Sequence, residues 1–434
     1  MQRRVARKES KDIATPLPVG QIVLIVGLFL TMLLLGWVEN IRGPAIPLLR
    51  LDLGVSYRGV GLMLSSYSLL YFLTVFLAGM VAVRFGRRTL LLLGYLIAAA
   101  ILPVALLVNS YLSLLLMMGV LAVGLGIFEI VLNAAGADVF PRRTAFMMNL
   151  LHLFYGLGAV IGPVYAGLLF DQGIGWRPAY AWMAVAFLVV LPVIVFGRAG
   201  SAAGRGANSG TNADMNADMN SDAGSSLEPG GPDGFGESGA PEAAQATTTK
   251  GLLRPQAGRI VVLGLLLGGA MTFELAVAAW LVNFLVEVRG LSAAAGAGYL
   301  GAFFAFFSLG RLIGGIPAER VGYLRLIEWF LLLGFASFIG LVVFPRAVFL
   351  AAVLGFFISI LFPTVMAVII QEFRGLSGAV MGIVIPMAGA LNMISGPLLG
   401  AAHDYLGVSL GFSLIGSFAL LGLLAVRLLR RTSS

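Results

Sequence analysis

Twelve stretches of this 434-residue chain run almost purely apolar, each for the length of a long helix, with Gly, Pro and charged residues between them. A hydrocarbon layer is crossed by about 20 helical residues, and a backbone inside it must bond its own polar groups. Runs of that length and number therefore fold as a bundle of membrane-spanning helices. The expected fold class is an all-α polytopic membrane protein of twelve transmembrane helices in two six-helix, pseudo-symmetric bundles. The expected spans are 19–42, 57–83, 88–108, 111–139, 143–171, 178–197, 257–288, 294–319, 323–344, 346–372, 375–402 and 406–429. Composition agrees: 59% of residues are hydrophobic and 11% charged, against about 25% charged in soluble domains. No Cys is present and only two His, which excludes disulfide scaffolds and thiolate chemistry and leaves little room for a metal centre.

The formal charge of +8 reads as topology rather than nucleic-acid binding. Arg50, Arg58, Arg177, Arg289 and Arg346 fall in one set of loops, and Arg42 and Arg311 inside spans. The other Lys and Arg residues gather at both termini and in the alternate loops, so both termini are expected in the cytoplasm. Residues 1–18 form a basic tail. The first apolar run is too long for a signal peptide and lacks a small-residue cleavage site, so it is expected to stay as helix 1. Residues 198–256, rich in Gly, Ala, Ser, Asn and Asp, read as a disordered cytoplasmic linker. It joins a 19–197 bundle to a 257–429 bundle, with 430–434 as a cytoplasmic tail.

A charged side chain at mid-bilayer costs about 2.5–3.5 kcal/mol on insertion scales, so interior acids usually face the bundle centre and serve a purpose. Glu129 lies deep in span 4, and Asn133 shares its helix face. Glu129 is either the proton carrier of a coupled transporter or a permanently neutralised structural group. Glu39 and Arg42, three residues apart, can form a fixed ion pair, or Arg42 can exchange between Glu39 and Glu129. Glu274 has no basic neighbour in its own helix core. It must be protonated, partnered from another helix or ligand-facing. Asn149, His152 and Tyr155 form one stripe of span 5, suited to a polyhydroxyl solute or to helix packing. Trp280, Asn283 and Asn392 are further solute candidates that also fit ordinary packing. Arg311, about two turns from the inner end of span 8, is expected to snorkel or pair near the cytoplasmic surface.

Two segments share a Gly-x-x-x-x-Arg-x-Gly frame. Gly79 to Arg88, with Arg84, Arg87 and Arg88, closes span 2; Gly315 to Gly322, with Glu319 and Arg320, closes span 8. The offset between them carries Glu39 to the position beside Glu274, as an internal duplication predicts. These features resemble the major facilitator superfamily of secondary transporters. The resemblance implies that Arg84, Arg87, Arg88, Glu319 and Arg320 form a cytoplasmic gate latch, although Val83 stands where the first copy of that family motif has an acid.

Glu129 to Asn133, Asn149 to Gly158, Phe273-Glu274 with Trp280, and Ser359-Ile-Leu-Phe362-Pro363-Thr364 further resemble the fucose–proton symporter branch. In that branch the positions of His152 and Tyr155 are sugar contacts. Its first-helix Asp is not matched here, since Asn40 or Gly43 occupies the place before Pro44 or Pro47. The resemblance implies a proton-coupled carrier of a monosaccharide or polyol, monomeric in the cell membrane, driven by the proton gradient with no cofactor. A proton-coupled drug or metabolite exporter and a non-transporting solute sensor are the alternatives. The chain carries no nucleotide-binding loop and no nucleophile–base arrangement, so neither ATP-driven pumping nor enzymatic activity is expected.

Overall fold

The computed structural model describes residues 18–139, 144–197, 254–314 and 318–432. The tail 1–17, the central segment 198–253, residues 315–317 and residues 433–434 lie outside the described residues. So do the side chains of Val83, Asn149 and Glu319. The first half of the chain forms α1 (Val19–Asn40), α2 (Arg42–Leu53), α3 (Tyr57–Phe85), α4 (Arg87–Val104), α5 (Tyr111–Val139), α6 (Thr144–Asp171) and α7 (Trp176–Phe196). The second half forms α8 (Ala257–Glu287), α9 (Ala293–Ile313), α10 (Ala318–Val321), α11 (Tyr323–Val343), α12 (Leu350–Ile358), α13 (Leu361–Glu372), α14 (Ser377–Ser413) and α15 (Gly416–Arg431). Among the described residues there is no strand, and 11 helical spans are long and apolar enough to cross a membrane.

Proline chemistry accounts for two departures from the expected spans. The first span runs on to Leu53 instead of ending at 42. It turns at Ile41, where Pro44 and Pro47 withhold two backbone donors. Span 10 is broken into α12 and α13, because Pro363 cannot donate to the carbonyl of Ser359 four residues back. Span 8 stops at Ile313 rather than 319. The twelfth expected span is also interrupted: Gly407, at φ 82°, separates it from the preceding helix, and its last piece, α15, has 16 residues. α15 nonetheless packs on α8 and α11.

Within the first half α6 packs on α1 and α5 on α3 and α4; within the second, α8 packs on α14 and α15, and α9 on α12. Two seams join the halves, α3 against α14 and α6 against α9. Both are tight at the end of the bundle opposite the chain termini, here called the distal end. A Cβ built on Gly61 would sit 2.1 Å from the carbonyl oxygen of Gly396, and one on Gly400 2.3 Å from that of Tyr57. Backbone meets backbone there, so only Gly fits. Toward the terminal end α14 stands clear: a Cβ on Gly378 or Gly382 meets nothing within 4 Å. The molecule is closed at the distal end and open at the other.

Candidate functional site

The break between α1 and α2 puts Glu39 and Arg42 at the heart of the first half. The Glu39 carboxylate accepts a hydrogen bond from the Tyr155 hydroxyl of α6 at 2.7 Å, with the Tyr67 hydroxyl of α3 at 3.4 Å on its other oxygen. Arg42 does not take the carboxylate. Its Nε donates to the Glu39 backbone carbonyl at 2.8 Å, and its guanidinium lies 3.8 Å from the centre of the Tyr67 ring. The expected Glu39–Arg42 ion pair is therefore replaced by a carbonyl bond and a cation–π contact, since the broken helix exposes a carbonyl that needs a donor. Asn40 caps the same break, donating to the Gly36 carbonyl at 2.8 Å.

Glu129 and Asn133 meet as their spacing predicts. The Asn133 amide donates to the Glu129 carboxylate at 3.0 Å and to its backbone carbonyl at 2.8 Å. Tyr71 lies beside Glu129, and Glu39 is close enough to act on it electrostatically. Two interior acids and three tyrosines thus lie together where α1, α3, α5 and α6 meet.

The second half brings a cation toward these acids. Arg311 of α9 donates through Nε to the Ser359 carbonyl at 3.3 Å, the very carbonyl that Pro363 leaves without a helical donor. Its charge reaches Glu274 in α8 and, across the cavity, Glu129 and His152. It stands exposed in the last turn of α9, toward the inner end of the span as its sequence position implies, and the proline break supplies it with a carbonyl partner. Glu274 makes no hydrogen bond or ion pair among the described residues, leaving Arg311 as its charged neighbour. His152 is half-buried on α6 and likewise bonds nothing described.

Three solute candidates fall elsewhere or stay unpaired. Trp280 is buried and stacks on His403, centroids 4.3 Å apart, so its face is already covered. Asn283 is fully buried with neither amide atom bonded. Both sit under the distal seam rather than in the cavity. Asn392 is half-buried on α14.

Two of the expected gate residues bond to helix-end carbonyls. Arg87 donates to the Ala134 carbonyl at 2.9 Å and Arg88 to the Val195 carbonyl at 2.5 Å, both in their own half. Arg84 and Arg320 are exposed.

Closure is made at the distal end instead. The Asp404 carboxylate of α14 accepts the backbone N–H of Tyr57 at 2.9 Å and of Arg58 at 2.8 Å, capping α3 from the opposite half. Glu287 of α8 accepts from the Tyr57 hydroxyl and lies 3.7 Å from Arg50 of α2. The Arg50 guanidinium packs 3.9 Å from the centre of the Tyr57 ring.

A bundle of apolar spans with interior acids, its two halves joined at the distal end, defines a polytopic membrane protein. The chain belongs to the Major Facilitator Superfamily, whose sequence model matches residues 28–397. A probable actinorhodin transporter of Streptomyces coelicolor is 29% identical over 190 residues, 41% of this chain and 30% of that protein. The chain's matches span 30–40% of the length of its curated relatives. Two solved structures share the fold almost end to end. A bacterial homologue of the human lysosomal transporter Spinster, inward-facing and unoccupied, aligns with TM-score 0.69 at 16% identity, covering 95% of this chain and 98% of that one. A D-xylose–proton symporter aligns with TM-score 0.71 at 14% identity, covering 94% and 96%.

Proposed function

We propose that this transporter moves a monosaccharide or related polyol together with protons, by alternating access between halves 19–197 and 257–429. The observation that carries the reading is the Glu39 carboxylate bonded to the Tyr155 and Tyr67 hydroxyls beside a second interior acid, Glu129, itself bonded to Asn133. Carboxyls at membrane depth are stable when neutral and costly when charged. One that faces each side in turn gains its proton on one side and loses it on the other. Glu129 is the proton acceptor in this reading, and the Asn, His and Tyr groups of α5 and α6 offer the mixed donors and acceptors that hydroxyls require. The likeness of span 10 and span 5 to the fucose–proton branch points the same way. The Lys and Arg asymmetry supports a cytoplasmic position for the termini, and so for the open end. The carrier works as a monomer in the cell membrane, powered by the proton gradient.

A second reading, a proton-coupled drug or metabolite exporter, is favoured by the resemblance to the probable actinorhodin transporter. Solute uptake into proteoliposomes separates the two. A monosaccharide panel is run with and without an inward proton gradient, for wild type and Glu129→Gln. Gradient-driven accumulation of one sugar, lost in Glu129→Gln while sugar exchange survives, is the expected result. No sugar flux in either protein refutes the sugar reading.

A further inference from the structure

At the terminal end of the second half, away from the cavity and both seams, α11, α13 and α15 enclose an open groove of about 740 Å³. Its lining carries Arg325, Arg427, Arg430 and Arg431 against two acids, Glu328 and Glu372. Both acids are already spent within the protein. Glu328 takes Arg427 Nε at 2.9 Å and Arg430 through its other oxygen. Glu372 takes Arg259 of α8 through both oxygens, at 2.6 and 2.7 Å.

What is left over is positive. Arg325 is exposed and makes no hydrogen bond or ion pair among the described residues. Arg427 and Arg430 each give Glu328 one donor, of the five N–H groups that a guanidinium carries. Like charges gathered in one groove repel unless an anion joins them, and planar guanidinium forks match the oxygens of a phosphate. The first half shows what a committed cluster looks like by contrast: Arg87 and Arg88 close onto helix carbonyls.

Exposed apolar side chains neighbour the lining residues along α11 and α15. Leu424 and Leu428, on α15 beside Arg427, are 62% and 52% exposed, and Trp329, next to Glu328, is 57% exposed. Exposed apolar side chains on a membrane bundle suit hydrocarbon, and an exposed indole suits the headgroup level. An anion that satisfies the arginines and these side chains together carries an acyl chain. We propose that this groove binds the phosphate headgroup of an anionic membrane lipid, held by Arg325, Arg427 and Arg430, with its chains along Leu424 and Leu428.

Native mass spectrometry of the full-length, delipidated protein in detergent tests this. Phosphatidylglycerol and phosphatidylcholine of matched chains are titrated against wild type and against Arg325→Gln/Arg427→Gln. That variant leaves Arg430 on Glu328, and its fold is checked by gel filtration and thermal unfolding. Arg346→Gln, in an exposed distal loop, is the control for loss of a positive charge away from the groove. One tight phosphatidylglycerol adduct is expected, at least about tenfold stronger than phosphatidylcholine and weakened about tenfold or more in the double variant, with Arg346→Gln unchanged. Equal binding of the two lipids, or equal loss in the control, overturns the proposal. Inorganic phosphate is run as a competitor. Displacement of phosphatidylglycerol by inorganic phosphate at comparable concentrations would make the groove a free-phosphate site and overturn it too.

Discussion

Opening the distal end requires α3 to part from α14, and Asp404 sits across that line. Its two oxygens hold the first two amides of α3, at 2.9 and 2.8 Å, donors that a helix start leaves without partners. Asp404→Asn keeps one acceptor oxygen and removes the charge. Loss of a helix cap costs about 0.5–2 kcal/mol, and the exposed position of Asp404 argues against charge effects beyond that range. We expect the closed state to lose about 1–2 kcal/mol, which shifts the closed-to-open ratio about fivefold to thirtyfold.

The chain has no Cys, so paired reporters carry no background. Spin labels at Asn109→Cys and Arg346→Cys, in exposed distal loops of opposite halves, give the distance between them by double electron–electron resonance. Asp404→Asn should enlarge the long-distance population by that factor. A distribution indistinguishable from wild type would refute the assignment of Asp404 as a latch, since the cap would then be replaced by water at no cost.

Gly61→Ala puts a methyl 2.1 Å from the Gly396 carbonyl oxygen; the same spin-label pair should move apart, and an unchanged distance would mean the seam yields elsewhere. Tyr155→Phe removes the hydroxyl at 2.7 Å from Glu39, a charge-assisted bond of about 1.5–3 kcal/mol, and should lower transport kcat/KM about tenfold or more. Arg311→Leu leaves the Ser359 carbonyl without a donor and Glu274 without its cation. Solute exchange should fall to background in proteoliposomes, while Arg311→Lys, which keeps the charge, should retain part of it; equal loss in both would show that the fork, not the charge, matters.

The family, the helical class and the position of most spans were legible in the sequence, because hydrophobicity over about 20 residues is a local sum that needs no partner. Spacing along one helix was legible for the same reason. Glu129 and Asn133, four apart, do bond. Where the expectation failed, backbone chemistry or a distant partner decided. Glu39 and Arg42 share a face, but the break at Ile41 offers Arg42 a carbonyl and Tyr67 a ring face, while Tyr155, 116 residues on, takes the carboxylate. Trp280 has its face covered by His403 from α14, which no local pattern foretells.

By itself the sequence determined a helical membrane bundle, the depth of its acids and the prolines that break two of its spans. Only the tertiary structure decided what each polar group touches: Arg311 finds Ser359 across 48 residues, and Asp404 caps α3 across 347. Apolar length is set residue by residue, whereas an interior hydrogen bond exists only once two separate helices have packed in register.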